Sequence, residues 1–239
     1  MLTAVLVVAA TFATSVLSAV AGFGGGVLLL SVFIAVFGVR DAVAILTVAQ
    51  LASTVSRVWF NRREIDRRLV RVFSLGAVPA AVAGALLFSA VSLPVLTRVI
   101  GALVLAMVVW RRWRPRSLRL DDTAFAAVGA ASGFGSALMG AAGPMVAPFF
   151  LARGLVRGAY IGTEAAAALV MHLVKLLVFG AVAVLTTSSA LTGLALAPAA
   201  AAGAWAGKKI TDRLPVPVFV AVVEVALVVA GLLLLITGG

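Results

Sequence analysis

Five ionisable residues of this 239-residue chain lie inside long apolar runs: Arg57, Glu164, His172, Lys175 and Glu224. An ionisable group in such a run is costly and is retained where it binds an ion, relays a proton or pairs with an opposite charge. Two cations with an imidazole suit the binding of a small anion. Glu164 and Glu224 would then couple that binding to protons, or pair with a cation. Lys175 is too deep in its run for easy snorkelling, so it is either an anion-site cation or half of an ion pair with Glu164 or Glu224. Arg57 lies three residues from the end of its run, at Phe60. It either joins the site or snorkels to the membrane surface. One His, no Cys, no clustered Asp motif and no HExxH leave no basis for a catalytic centre, a metal or a cofactor.

Polar neighbours extend this pattern. Thr47, Gln50, Ser53, Thr54, Arg57 and Asn61 fall within about 120° of one another on a helix, at about 100° per residue. Glu164, His172 and Lys175 fall within about 80° by the same count. Such stripes face protein or water rather than lipid. Gly22-Phe23-Gly24-Gly25-Gly26 separates a full apolar run from a short one. Adjacent glycines in a helix interior cost about 1 kcal/mol each relative to Ala, so a broken or re-entrant tip is expected there. The next helix, expected from about Val27, would aim its free N–H groups back at Gly22, Gly24, Gly25 and Gly26 as an anion site. On that reading, Gly25→Val abolishes transport and leaves the fold intact. Gly140 to Pro144 repeats the device through Gly140 and Gly143. The alternative for both tips is close packing by small residues. Packing is the preferred reading of Gly129, Gly133, Gly203 and Gly207.

The elements that position these residues follow from composition. Apolar residues make up 64% and charged residues 11%, with a mean hydropathy of +1.22. A soluble domain averages about 45–50% apolar and about 25% charged, so this is an all-α polytopic membrane protein, and disorder is excluded. A span needs about 20 apolar residues. The runs give Thr3–Gly22, Val27–Phe37, Ala42–Phe60, Val72–Val91 and Val95–Trp110, then Thr123–Met139, Met145–Leu151, Ala159–Leu185, Leu191–Ala206 and Val216–Ile236. Ala19-Val20-Ala21 resembles a signal-peptide cleavage site, but it lacks a positive n-region and reads as part of the first span. Asp121 and Asp122 read as N-cap residues. Trp59, Trp110, Trp113 and Trp205 read as interfacial anchors.

The two halves share the order long, short, long, long, long. At an offset of 118, Ser18 to Gly26 aligns with Ser136 to Pro144, and Arg57 falls on Lys175. One residue further, Pro79 and Gly84 fall on Pro198 and Gly203. The net charge of +11 is concentrated in Arg62–Arg71, Arg111–Arg119, Arg153–Arg157 and Lys208–Arg213, which hold 15 of the 19 Lys and Arg. Clusters between apolar runs are cytoplasmic loops under the positive-inside rule, not a nucleic-acid surface. With all four inside, both chain ends lie outside. The halves then have opposite orientations. A single transmembrane domain over 1–239 is therefore expected, built from two inverted repeats at 1–115 and 120–239, a common architecture of secondary transporters.

Gly22-Phe23-Gly24-Gly25-Gly26 after an apolar helix, with a degenerate copy 118 residues on, resembles the TauE/SafE sulfite exporter family of permeases. The resemblance implies a multi-pass permease of the cytoplasmic (inner) membrane for sulfite, sulfonates or related small organic anions. The second copy departs from the pattern at Ala141, Ala142 and Pro144. The expected partners are a small anionic substrate and the lipid bilayer, with no nucleic acid, and a homo-oligomer is compatible with the chain. A passive anion channel using the same tips is the alternative reading.

Overall fold

The computed structural model describes residues 2–22, 25–90, 121–139 and 143–218, together with Ala221 and Val225. Eight helices are described: α1 (Leu2–Ala21), α2 (Gly25–Phe37), α3 (Val39–Phe60), α4 (Arg67–Ala90), α5 (Ala124–Met139), α6 (Gly143–Ala152), α7 (Arg157–Ala181) and α8 (Thr187–Thr211). The described residues contain no strand. The expected span Val95–Trp110, most of Val216–Ile236, the Arg111–Arg119 cluster, Gly24, Gly140 and Glu224 lie outside the described residues.

α1, α3, α4, α7 and α8 are long and apolar enough to cross a bilayer. Large apolar side chains such as Leu75 and Leu177 are about three-quarters exposed on their outer faces. A surface of that kind belongs against lipid, and the chain is a multi-pass membrane protein. α2 and α6 are short, as expected. Each begins two residues earlier than the sequence predicts, so Gly25 and Gly26 form the first turn of α2. Tertiary contact with α1 outweighs the low helix propensity of glycine.

Glycine contacts hold the long helices close. A Cβ at Gly76 would strike the backbone of Ala126, and one at Gly129 or Gly133 would strike the backbone of Phe73 or Ala77, so α4 and α5 meet backbone to backbone. Gly203 and Gly207 approach Phe12, Val16 and Ala19 in the same way, joining α8 to α1. These are the packing roles the sequence suggests. The most extensive contacts are α4 with α5, then α3 with α8 and α1 with α8, followed by α3 with α7 and α4 with α7.

Charged residues mark one end of the molecule. Asp122, just before α5, meets Arg68 of α4 at 3.0 Å and Arg153 after α6 at 2.8 Å. Its carboxylate is thus committed to arginines rather than to capping α5, which corrects the capping expectation. α5 begins at Ala124, so Thr123 rather than either Asp stands at the N-cap position. The Thr211 hydroxyl donates to the Ala19 carbonyl at 3.0 Å, which brings Lys208 and Lys209 of α8 to the end of α1. Arg62 stacks on exposed Trp59, and Lys209 on exposed Trp205, at 4.3 and 3.6 Å from the ring centres. Cation–π pairs next to lipid-facing helix ends suit interfacial anchors.

The buried apolar residues form two clusters. One, toward the basic end, includes Phe73, Phe125, Phe150 and Tyr160. The other, toward the opposite end, includes Phe33, Leu46, Phe88 and Phe179. Gln50, Ser53, Thr54 and His172 are buried yet belong to neither.

Candidate functional site

α3 carries the polar stripe inward. Thr47, Gln50, Ser53, Thr54, Arg57 and Asn61 are all at least nine-tenths buried. Arg57 does not snorkel. It stands in the last turn of α3, and its Nη1 donates to Glu164 Oε2 at 2.6 Å and to the Gly22 carbonyl at 3.0 Å. Its Nη2 makes a long contact of 3.4 Å with Thr54 Oγ1. The Arg57 carbonyl accepts from Asn61 Nδ2 at 2.8 Å, which ties down the helix end. One guanidinium thereby joins α3, α7 and the break after α1.

Gly22 can end α1 because it takes a left-handed backbone, φ 81°. Any Cβ there would enter the ring of Tyr160 in the first turn of α7. This position therefore demands glycine on both counts. Gly25 is closely packed: a Cβ would meet the Thr14 carbonyl and Ser18 Oγ of α1. Gly25→Val would force α1 and α2 apart, so the expectation of an intact fold with lost transport is corrected.

Glu164 pairs with Arg57, not with Lys175. α3 and α7 run antiparallel, with Arg57 beside Glu164 and Asn61 beside Gly162. Lys175 lies 11 residues beyond Glu164, about 16 Å along α7 at 1.5 Å per residue. Fully buried there, its Nζ donates to the Ser136 carbonyl in the last turn of α5 at 3.3 Å. Each cation thus reaches a carbonyl at the end of the helix that precedes a glycine-rich segment, where helix dipoles are negative. The two cations come from helices of opposite direction.

The predicted site residues are therefore not gathered at one point. Arg57 and Glu164 mark one level and Lys175 another, and Gln50, Ser53, Thr54 and His172 fall between them. Ser53 Oγ, His172 Nδ1 and Arg57 Nε are buried and find no hydrogen-bond partner among the described residues. Gly143 starts α6, and Gly26 is buried in the first turn of α2. Among the described residues, no group of three or more His, Cys, Asp or Glu could hold a metal.

Sequence reasoning missed Tyr160 and Ser132. Tyr160 is the only Tyr of the chain and opens α7, yet nothing in its spacing reveals that it faces Gly22. Ser132 is buried one turn before Ser136, with its hydroxyl unpartnered among the described residues. The repeat could have flagged it, since it aligns with Thr14 at the offset of 118.

No curated protein and no solved structure matches the chain. A protein-family model described as sulfite exporter TauE/SafE matches residues 7–234. That span takes in most of α1, all of α2 to α8, both glycine-rich segments and both buried cations, and the chain belongs to the TauE/SafE sulfite exporter family.

Proposed function

We propose that the protein is a secondary transporter that carries a small oxyanion, sulfite or an organosulfonate, across the cytoplasmic membrane. The family supports a sulfite or sulfonate exporter in general terms. The observation that carries the finer reading is the pair of buried cations, Arg57 and Lys175, each fixed beside a glycine break and reaching the site from an opposite end. Substrate would pass between them along Gln50, Ser53, Thr54 and His172. On this reading the N-termini of α2, at Gly25 and Gly26, and of α6, at Gly143, would face it beside Gly22.

We read the halves 1–115 and 120–239 as inverted repeats. This is supported by the matched pairings, α8 on α1 with α4 on α5 and α3 on α8 with α7 on α4. Alternating access by such halves needs contacts that break and reform between them. Arg57–Glu164 joins one half to the other. Glu164, and Glu224 with it, would act as coupling carboxylates: a proton on Glu164 removes the charge that holds Arg57. No catalysis, cofactor or metal enters this scheme. The bilayer and the anion are the partners, and a homo-oligomer remains compatible with it.

The test is flux in proteoliposomes. A carrier gives saturable counterflow of sulfite or methanesulfonate, and an external load of the same anion accelerates efflux. Step-like single-channel currents without counterflow would replace the carrier with a channel.

A further inference from the structure

The guanidinium of Arg57 is occupied on one side only. Glu164 and the Gly22 carbonyl both bind Nη1. Nε has no partner among the described residues, and Nη2 has only the long Thr54 contact. Nε–H and the adjacent Nη2–H form the side-on fork of an arginine, whose two parallel donors match two oxygens on one central atom. This fork is buried, because Arg57 is 5% exposed. A buried donor left unmade is expensive, so a fork held open points to a ligand.

The residues around it complete the recognition. Arg57 side-chain atoms lean toward the start of α3, over the preceding turn. Ser53 and Thr54 occupy that turn, on either side of Arg57 by about 40° and about 60° at 100° per residue. Both are fully buried, and Ser53 Oγ has no partner among the described residues. Two donors on the fork and one hydroxyl beside it make three hydrogen bonds for three oxygens.

We propose that the Nε–Nη2 edge of Arg57, with Ser53 and Thr54, is the subsite for a three-oxygen head group, and that Ser53 selects a sulfonate over a carboxylate. The proposal rests on the transporter reading and assigns the recognition to atoms. A sulfonate or sulfite lays two oxygens on the fork and gives the third to Ser53 Oγ. A carboxylate fills the fork but leaves the Ser53 hydroxyl unmatched. Chloride can accept both N–H bonds of the fork but has no oxygen left for Ser53 Oγ. Glu164 stays on the far edge, so the guanidinium lies between the two negative groups.

The experiment measures binding of sodium methanesulfonate, sodium acetate and sodium chloride to purified protein by thermal shift at constant ionic strength. Native protein is expected to bind methanesulfonate at least about tenfold more tightly than acetate, the usual scale of one lost hydrogen bond to a charged group. Ser53→Ala should remove that gap by weakening methanesulfonate alone. Arg57→Lys keeps the charge but loses the fork, and should weaken both oxyanions about tenfold or more. Chloride should compete only weakly, because it leaves the Ser53 hydroxyl unmatched. A native protein that binds methanesulfonate no better than acetate or chloride overturns the proposal, as does an unchanged gap in Ser53→Ala. Should Arg57→Lys fail to fold, Ser53→Ala and Thr54→Val decide alone, because both leave the Arg57–Glu164 bond itself in place. Native-like methanesulfonate affinity in both then overturns the subsite. The transporter reading fails separately: binding as described without any counterflow sinks transport and leaves the subsite.

Discussion

Arg57 and Glu164 are separated by 107 residues, yet they meet at 2.6 Å with both side chains about 95% buried. Among the described residues, the other salt bridges, Arg68–Asp122, Arg153–Asp122 and Lys208–Asp212, all have an exposed member. A buried pair is destabilised strongly when one partner is removed, because the other charge is left uncompensated.

Glu164→Ala should therefore lower stability by about 3–5 kcal/mol, and the double variant Arg57→Met with Glu164→Met should recover most of it. Thermal unfolding in detergent, analysed as a double-mutant cycle, measures the coupling. Additive losses would show that the two side chains act independently.

Glu164→Gln keeps an oxygen for Arg57 and removes the opposing negative charge. Anion affinity should rise and proton movement accompanying anion flux should fall. Both are read in proteoliposomes, by anion efflux and by an internal pH dye. Undiminished proton movement would take Glu164 out of the coupling role.

Gly22→Ala should abolish transport and reduce folded yield, because the new methyl group meets Tyr160 and the backbone is left-handed. Adding Tyr160→Ala removes the collision but not the strain of about 1–2 kcal/mol for an L-residue in that conformation. Folded yield should therefore recover in part. Full recovery would show that the backbone conformation carries no cost.

Lys175→Met should weaken anion binding and transport, and Lys175→Arg should keep part of both. Lys175 Nζ binds the Ser136 carbonyl rather than Glu164, so its loss should leave the Arg57–Glu164 coupling energy unchanged. Wild-type affinity in Lys175→Met at fixed ionic strength would remove Lys175 from the site.

Arg63→Cys and Ser188→Cys report orientation on a background with no cysteine. Both positions are exposed, in the turn after α3 and at the start of α8. Arg63→Cys should react with an impermeant maleimide only from the cytoplasm, and Ser188→Cys only from outside. Labelling of both from one side would reverse the assigned path of the chain.

Much of the fold is legible because lipid imposes a simple rule: each backbone polar group must be paired within its own helix, so apolar runs become spans. The polar stripe on α3 was legible for the same reason, since only one helix face can avoid lipid. Helix starts were less so. α2 opens at Gly25 rather than Val27 because α1 supports it, and helix propensity does not contain that contact.

The sequence by itself determined the membrane class, the short second element of each half, the basic end and the residues that must be shielded from lipid. These follow from hydropathy, length and charge, which are sums over local residues. Partner choice was decided only by tertiary structure. Helical periodicity put Glu164 and Lys175 on one face of α7, where a pairing between them was plausible. Packing of α3 against α7 instead set Arg57 opposite Glu164 and left Lys175 to a carbonyl of α5. Which cation meets which carboxylate depends on the register between helices far apart in the chain. That register is set by glycine contacts and side-chain volume across the interface, not by the pattern along any one helix.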